Sequence, residues 1–243
     1  MSADVPGSLQ RRVRVAGRAL ARHGLVQAWG HCSARIDDSR FLVCAARPMG
    51  RIAVGEPGTV VHVDGPLPEG VLGEVRIHQQ IYRRRPDVGG VCRVMPPATV
   101  ALSTLRIVPR PRHGVGAFNA ACRFWEDPRL LRDDGLAADL AAHLDDAPAL
   151  VMRANGAVTV GGSIEMAAGF AWCLEDAARM EQRVRSIAAG DALDAAALGQ
   201  DEIGLRQVAS GRVFERLWDY MAGSDAEALE SDPTFPAPVW GSR

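Results

Sequence analysis

The sequence predicts one α/β domain over residues 1–222, with helices around a single mixed sheet, followed by an acidic, proline-containing tail over 223–243. Two observations carry this. A chain of 243 residues with 47% hydrophobic content can bury one sizeable core. Along it, apolar residues at helical spacing alternate with short β-rich runs closed by turn residues, the pattern of helices packed on a sheet. There is no internal repeat and no low-complexity linker.

Residues 8–23 place Leu9, Val13, Ala16, Leu20 and Ala21 on one helical face with arginines opposite, and Gly24 is a natural stop. Residues 26–36 and 40–44 read as a strand pair joined by the Asp37-Asp38-Ser39 turn. A short strand over 58–63 closes at Asp64-Gly65-Pro66. Residues 74–84 form a helix that buries Val75, Ile77, His78, Ile81 and Tyr82. A strand over 88–94 and a helix over 97–105, opened by proline, come next. Residues 109–127 look irregular, and Gly114 and Gly116 fit a mobile loop. A helix spans 129–144, and strands over 149–153 and 157–160 flank the Asn155-Gly156 turn. Ser163 caps a long helix to about 188, with Glu165 favourably placed in its first turn. A last helix covers 203–221, and the tail is expected to be ordered only by a neighbour, if at all.

Composition removes several classes of function. A formal net charge of −1 gives no electrostatic case for nucleic acid or a membrane surface. No apolar run approaches the ~20 residues that span a bilayer. The first residues lack the basic and apolar regions of a signal peptide, so a cytoplasmic location is expected. The five cysteines are scattered with no Cys-x-x-Cys pair, which points to small buried hydrophobes rather than zinc or disulfides. All 28 basic residues counted as Lys+Arg are arginine, and Schiff-base chemistry needs a lysine amine. A lysine-based aldolase and a lysine-anchored pyridoxal enzyme are both excluded.

The most informative stretch runs from Gly73-Glu74-Val75 through His78 and Tyr82 to Arg85-Pro86-Asp87-Val88, and on to Arg93-Val94-Met95-Pro96-Pro97. It resembles the class II aldolase/adducin family, in which an acidic residue on a helix leads through such a turn into a strand ending His-x-His-Pro-Pro. Gly30-His31-Cys32-Ser33-Ala34-Arg35 looks like the family's substrate loop and first strand, in the form found in its decarboxylase-like branch. The run from Leu150 through Asn155-Gly156 to Gly161 is similar to the strand ending in His-Gly. The resemblance covers residues 9–190 and implies an α/β/α fold with a mainly antiparallel central sheet, and a homotetramer.

In the metal-dependent members, three histidines hold a divalent ion and the helix carboxylate is general acid/base. The matching positions here are Arg93, Met95 and Asn155, with Glu74 as the carboxylate. A guanidinium stays protonated and does not ligate cations, methionine sulfur is soft, and an Asn amide is a weak ligand. The expectation is therefore a metal-free site with no cofactor. Glu74, His31 and Arg93 are the candidate catalytic residues, and Arg93 could bind a carboxylate or a developing oxyanion. His31 is a candidate for proton transfer, given an ordinary pKa near ~6.5. Ser33, Arg35, Asn155, Met95 and Tyr220 are candidate substrate-binding residues. His78 and Tyr82 share a helix face with Glu74 and read as mainly structural.

Together these predict a metal-independent lyase or isomerase acting on a small carboxylate. A place in bacterial secondary metabolism is an analogy only. Two alternatives stand beside it. One is an adducin-like binding module without catalysis, against which the survival of Glu74 and His31 weighs. The other is a metal-dependent aldolase that uses His31, Glu74 or Cys92 as ligands.

Overall fold

The computed structural model describes residues 5–208 and 210–228. In chain order, helix α1 (Gly7–Arg22) leads into strands β1 (His31–Arg35), β2 (Arg40–Val43) and β3 (Thr59–His62). Helix α2 (Arg76–Arg84), strand β4 (Gly90–Val94) and helix α3 (Pro97–Thr104) follow. Then come strand β5 (Arg123–Trp125), helix α4 (Asp134–Leu144), strands β6 (Ala149–Met152) and β7 (Ala157–Gly161), and the long helix α5 (Ile164–Ile187). Helices α6 (Gly190–Ala195), α7 (Gln200–Arg206) and α8 (Val213–Ala222) are the last elements among the described residues.

The strands form one seven-stranded sheet in the order β3-β2-β1-β4-β7-β6-β5. All neighbours run antiparallel except β5 with β6, the mixed, mainly antiparallel sheet that the family resemblance implies. Its two faces separate by the two-residue period of the strands. Cys32, Ala34, Cys92 and Val94 pack under α1, α5 and α8. Val91 joins Phe41 and Val43 under α2 and α4. His31, Ser33 and Arg93 share the parity of Val91, so three polar side chains enter the α2 side of the core. Burying large residues such as Leu20, Phe41 and Leu150 is worth about 1.5–3 kcal/mol each, which sets the scale against which that polar insertion is tolerated.

Local chemistry explains most boundaries. Asp37 Oδ1 accepts from the Ser39 N–H and hydroxyl and closes the β1–β2 turn. The Ser163 side chain accepts from the Met166 N–H and starts α5. Glu175, buried on α5, accepts from the N–H groups of Ala98 and Thr99, so a carboxylate from another element caps α3.

Several expectations need correction. Residues 26–30 are not strand: Gly30 turns at φ 140°, and β1 starts after it. The 109–127 region is not an open loop. It contains a 3₁₀ turn (Val115–Asn119) and edge strand β5, and it is pinned to α5 by the buried Arg112–Glu181 pair at 2.7 Å. Helix α4 begins at Asp134, because the Asp133 carboxylate accepts from the Leu136 N–H. The last helix is broken where Gly211 and Arg212 adopt φ 76° and 58°, giving α7 and α8. α6 is a short helix with no predicted counterpart. The start of the tail is tied to its own subunit: Asp225 pairs with Arg18 and Arg22, and Glu227 with Arg14 and Arg18. The rest of the tail, from residue 229, lies outside the described residues.

Two outcomes follow for stability. Glu181→Ala leaves Arg112 buried without its carboxylate and should cost about 3–5 kcal/mol, read from the urea midpoint. The acid limb depends on the tail. Hydrogen bonds from Arg14 and then Arg18 hold Glu227 down to about 2. Asp225, although burial alone would raise it, is held well below the usual range by Arg18 and Arg22. Depressed carboxylates stabilise the fold above their unfolded values and lose that contribution as they protonate. Thermal midpoints should therefore fall as pH drops from about 4 towards 2, and less steeply in an Asp225→Asn/Glu227→Gln variant.

Candidate active site

The site forms where α2 crosses β1 and β4. A 3₁₀ turn, Gly73–Val75, carries Glu74 to the head of α2, and α2 buries His78 and Tyr82 against β1. His78 Nε2 lies 2.8 Å from His31 Nδ1, and His78 Nδ1 lies 2.6 Å from Ser33 Oγ. Ser33 Oγ in turn lies 2.9 Å from the Tyr82 hydroxyl. A continuous buried line of hydrogen bonds thus runs Tyr82–Ser33–His78–His31.

Directly across the β1–β4 pairing from His31 stands Arg93. Its Nη1 donates to the Val94 carbonyl at 3.0 Å and its Nη2 to Asn155 Oδ1 at 2.9 Å. Nη2 also lies 3.4 Å from Glu74 Oε2, and the Arg93 side chain is only 3% exposed. Asn155 reaches it from the β6–β7 turn, where Ala154 and Gly156 take φ 55° and 81°. A Cβ on Gly156 would stand 2.1 Å from the Val94 carbonyl oxygen and 3.0 Å from Arg93 Nη1. Only glycine lets the turn close on the guanidinium.

The electrostatics follow from burial beside that cation. Burial first, then the neighbouring His78 and Arg93, push His31 well below the ordinary histidine range. Burial, with Arg93 adding, takes His78 to about 3. Both imidazoles are therefore neutral at pH 7, and the expectation of an ordinary histidine pKa for His31 is corrected. Burial also lowers Arg93, opposed by Glu74, but a guanidinium remains charged. His31 lines a small cleft with Thr59, Leu72 and Val75.

The structure gathers Glu74, His31, Ser33, Arg93 and Asn155, and leaves Met95 half-buried at the Gly156 turn. It does not gather two others. Arg35 donates to the carbonyls of Val88, Tyr82 and Arg85 and lies over the Tyr82 ring; it fastens the end of α2 rather than facing a ligand. Tyr220 is 64% exposed, and its ring contacts are His23 and Trp172. His113, in the former loop, pairs with Asp176 at 2.7 Å. Conversely, His78 and Tyr82 belong to the polar cluster and not merely to the core, since they reach His31 and Ser33 of β1; the signal was their spacing four and eight residues behind Glu74.

These residues do not fit a divalent cation. A fixed guanidinium lies between Glu74 and Asn155, where a second cation would be repelled. The ligand set that includes Cys92 is not assembled either: Cys92 packs on the opposite face of the sheet, and burial raises its thiol. Among the described residues, no group of three or more His, Cys, Asp or Glu side chains is placed to hold a metal.

The seven-stranded fold and the order of its site elements define a class. The chain belongs to the class II aldolase and adducin N-terminal domain family, whose model matches residues 11–182. It is 33% identical over 201 residues to the 3,4-dihydroxyphthalate decarboxylase of Arthrobacter keyseri, covering 74% of this chain and 79% of that protein. It is 32% identical over 187 residues to the enzyme of the same name from Terrabacter sp. (strain DBF63), covering 69% and 77%. An aldolase II superfamily protein from Pseudomonas syringae shares the fold, with a TM-score of 0.75 at 22% identity over 90% of this chain and 92% of that one. These matches support a lyase-type function. Among the described residues, no helix is long and apolar enough to cross a membrane.

Gly156→Ala tests the closure of the turn. The left-handed backbone alone should cost about 1–3 kcal/mol, seen in chemical denaturation. The displaced Asn155 should release Arg93, so an accompanying loss of ligand binding is expected.

Proposed function

We propose that this protein is a decarboxylase-type carbon–carbon lyase acting on a small aromatic carboxylate, and that the Arg93 guanidinium supplies the positive charge that a metal ion supplies in metal-dependent members of the family. The observation that carries this is the position of that guanidinium, 3.4 Å from Glu74 Oε2 and 2.9 Å from Asn155 Oδ1. The names of the two bacterial decarboxylases support the substrate class.

In this reading Glu74 gives a proton to the ring carbon that bears the carboxylate, while electrons from the phenolate oxygen of a ring hydroxyl turn the ring into a dienone. The carbon–carboxylate bond then breaks: carbon dioxide leaves, and the electron pair of that bond restores the aromatic ring and the phenolate charge. That charge develops facing Arg93, where a fixed cation stabilises it in the transition state. Glu74 regains its proton from water. The homo-oligomer that the family resemblance implies belongs to this proposal, with a neighbour covering the His31 cleft, where Leu72 is exposed.

One observation favours a second reading, a non-catalytic module. Arg93 already donates to Val94 and Asn155, as a residue filling a disused site would. Carbon dioxide release from 3,4-dihydroxyphthalate and simpler dihydroxybenzoates separates the two, run alongside elemental analysis of untagged protein purified without chelator. Turnover with substoichiometric metal is expected, with kcat lowered about 10²–10³-fold in Arg93→Ala and about 10²–10⁴-fold in Glu74→Gln. Stoichiometric transition metal would overturn the metal-free part. Absence of turnover across the panel would favour the module.

A further inference from the structure

The buried line of hydrogen bonds has a direction, and Tyr82 sets it. Among the described residues, the Tyr82 hydroxyl has Ser33 Oγ as its one hydrogen-bond partner. A buried O–H with a single oxygen partner donates to it, because the reverse leaves the proton without an acceptor. Ser33 Oγ, with Tyr82 and His78 as its contacts, then gives its own proton to His78 Nδ1. A neutral imidazole that accepts at Nδ1 carries its proton on Nε2, so His78 donates to His31 Nδ1. By the same rule, His31 holds its proton on Nε2. That nitrogen is buried and has no partner among the described residues, while its side chain borders the cleft.

A second unsatisfied donor stands opposite. Arg93 Nε is also buried without a partner, on the residue paired with His31 across β1 and β4. Buried donors in native proteins are nearly always satisfied, so two orphans on opposed residues of one site call for acceptors from a ligand.

We infer that His31 is a neutral Nε2–H donor to a substrate oxygen, that Arg93 faces a second oxygen beside it, and that His78, Ser33 and Tyr82 are positioning residues that fix the His31 tautomer. The ligand class is an aromatic with two neighbouring oxygens, such as a catechol. Tautomer control makes His31 an electrophile that polarises oxygen without charging. It is not the base or acid that moves a proton at carbon, and that task stays with Glu74. A neutral donor suits a site that already holds a buried cation, where a second positive charge would be repelled. The identity of the oxygens rests on the decarboxylase reading; the tautomer does not.

The experiment is two-bond ¹⁵N–¹H correlation on full-length protein labelled with ¹⁵N-histidine, at pH 7. His31 and His78 should both appear as neutral Nε2–H tautomers. A protonated Nδ1 on either ring, or an imidazolium, would overturn the assignment. Ser33→Ala removes the proton donated to His78 and should turn His31 into a mixture of tautomers. A His31 still wholly Nε2–H in that variant would remove Ser33 and Tyr82 from the account. Should the variant not fold, the wild-type spectrum still decides the tautomer. Catechol and 3,4-dihydroxyphthalate serve as probes, and each should shift the His31 Nε2 resonance. If the tautomer holds but neither probe moves it, the tautomer and its positioning residues stand, whereas the ligand assignment and the decarboxylase reading fall.

Discussion

A charged guanidinium buried in the sheet is the constraint on which the site depends. Moving such a group out of water is expensive unless acceptors surround it, and here they come from separate parts of the chain. Val94 provides a carbonyl from β4, Asn155 an amide oxygen from the β6–β7 turn, and Glu74 a carboxylate from the head of α2. The strand, the turn and the helix are thereby held in one geometry. Gly156 is required at the turn because any side chain there would meet the Val94 carbonyl.

The same charge governs the histidines. His31 and His78 are pressed together in a dry site beside Arg93, and burial and repulsion both favour their neutral forms. Two neutral rings can share one hydrogen bond, and the Ser33 and Tyr82 hydroxyls extend it. The cluster is polar yet carries its fixed positive charge in one place. Arg93, at a position where the family resemblance places a metal-binding histidine, is thus accommodated without loss of the surrounding frame, since fold and site chemistry are separable.

Much of this architecture was legible in the sequence, for identifiable reasons. Strong signals came from local rules: the amphipathic periods of α1 and α2, the Asp37–Ser39 turn, the Ser163 cap and the Asn155-Gly156 hairpin. The failures came where distant partners decide. Residues 109–127 look irregular because their order comes from Arg112 reaching Glu181 on α5, a contact no local pattern contains. The start of the tail reads as loose because its carboxylates find α1 from the other end of the chain.

The sequence by itself determined the chemical inventory: no lysine for a Schiff base, and arginine, methionine and asparagine at the three positions where the family's metal-binding histidines would stand. It also determined the alternation that puts His31, Ser33 and Arg35 on one face of their strand. Only the tertiary structure decided which partners those residues meet. It took Arg35 away to the end of α2 and brought His78 and Tyr82 into line with Ser33 and His31. The physical reason is that local periodicity fixes which face a side chain takes, whereas hydrogen-bond partners and local dielectric are set by the elements that fold across it.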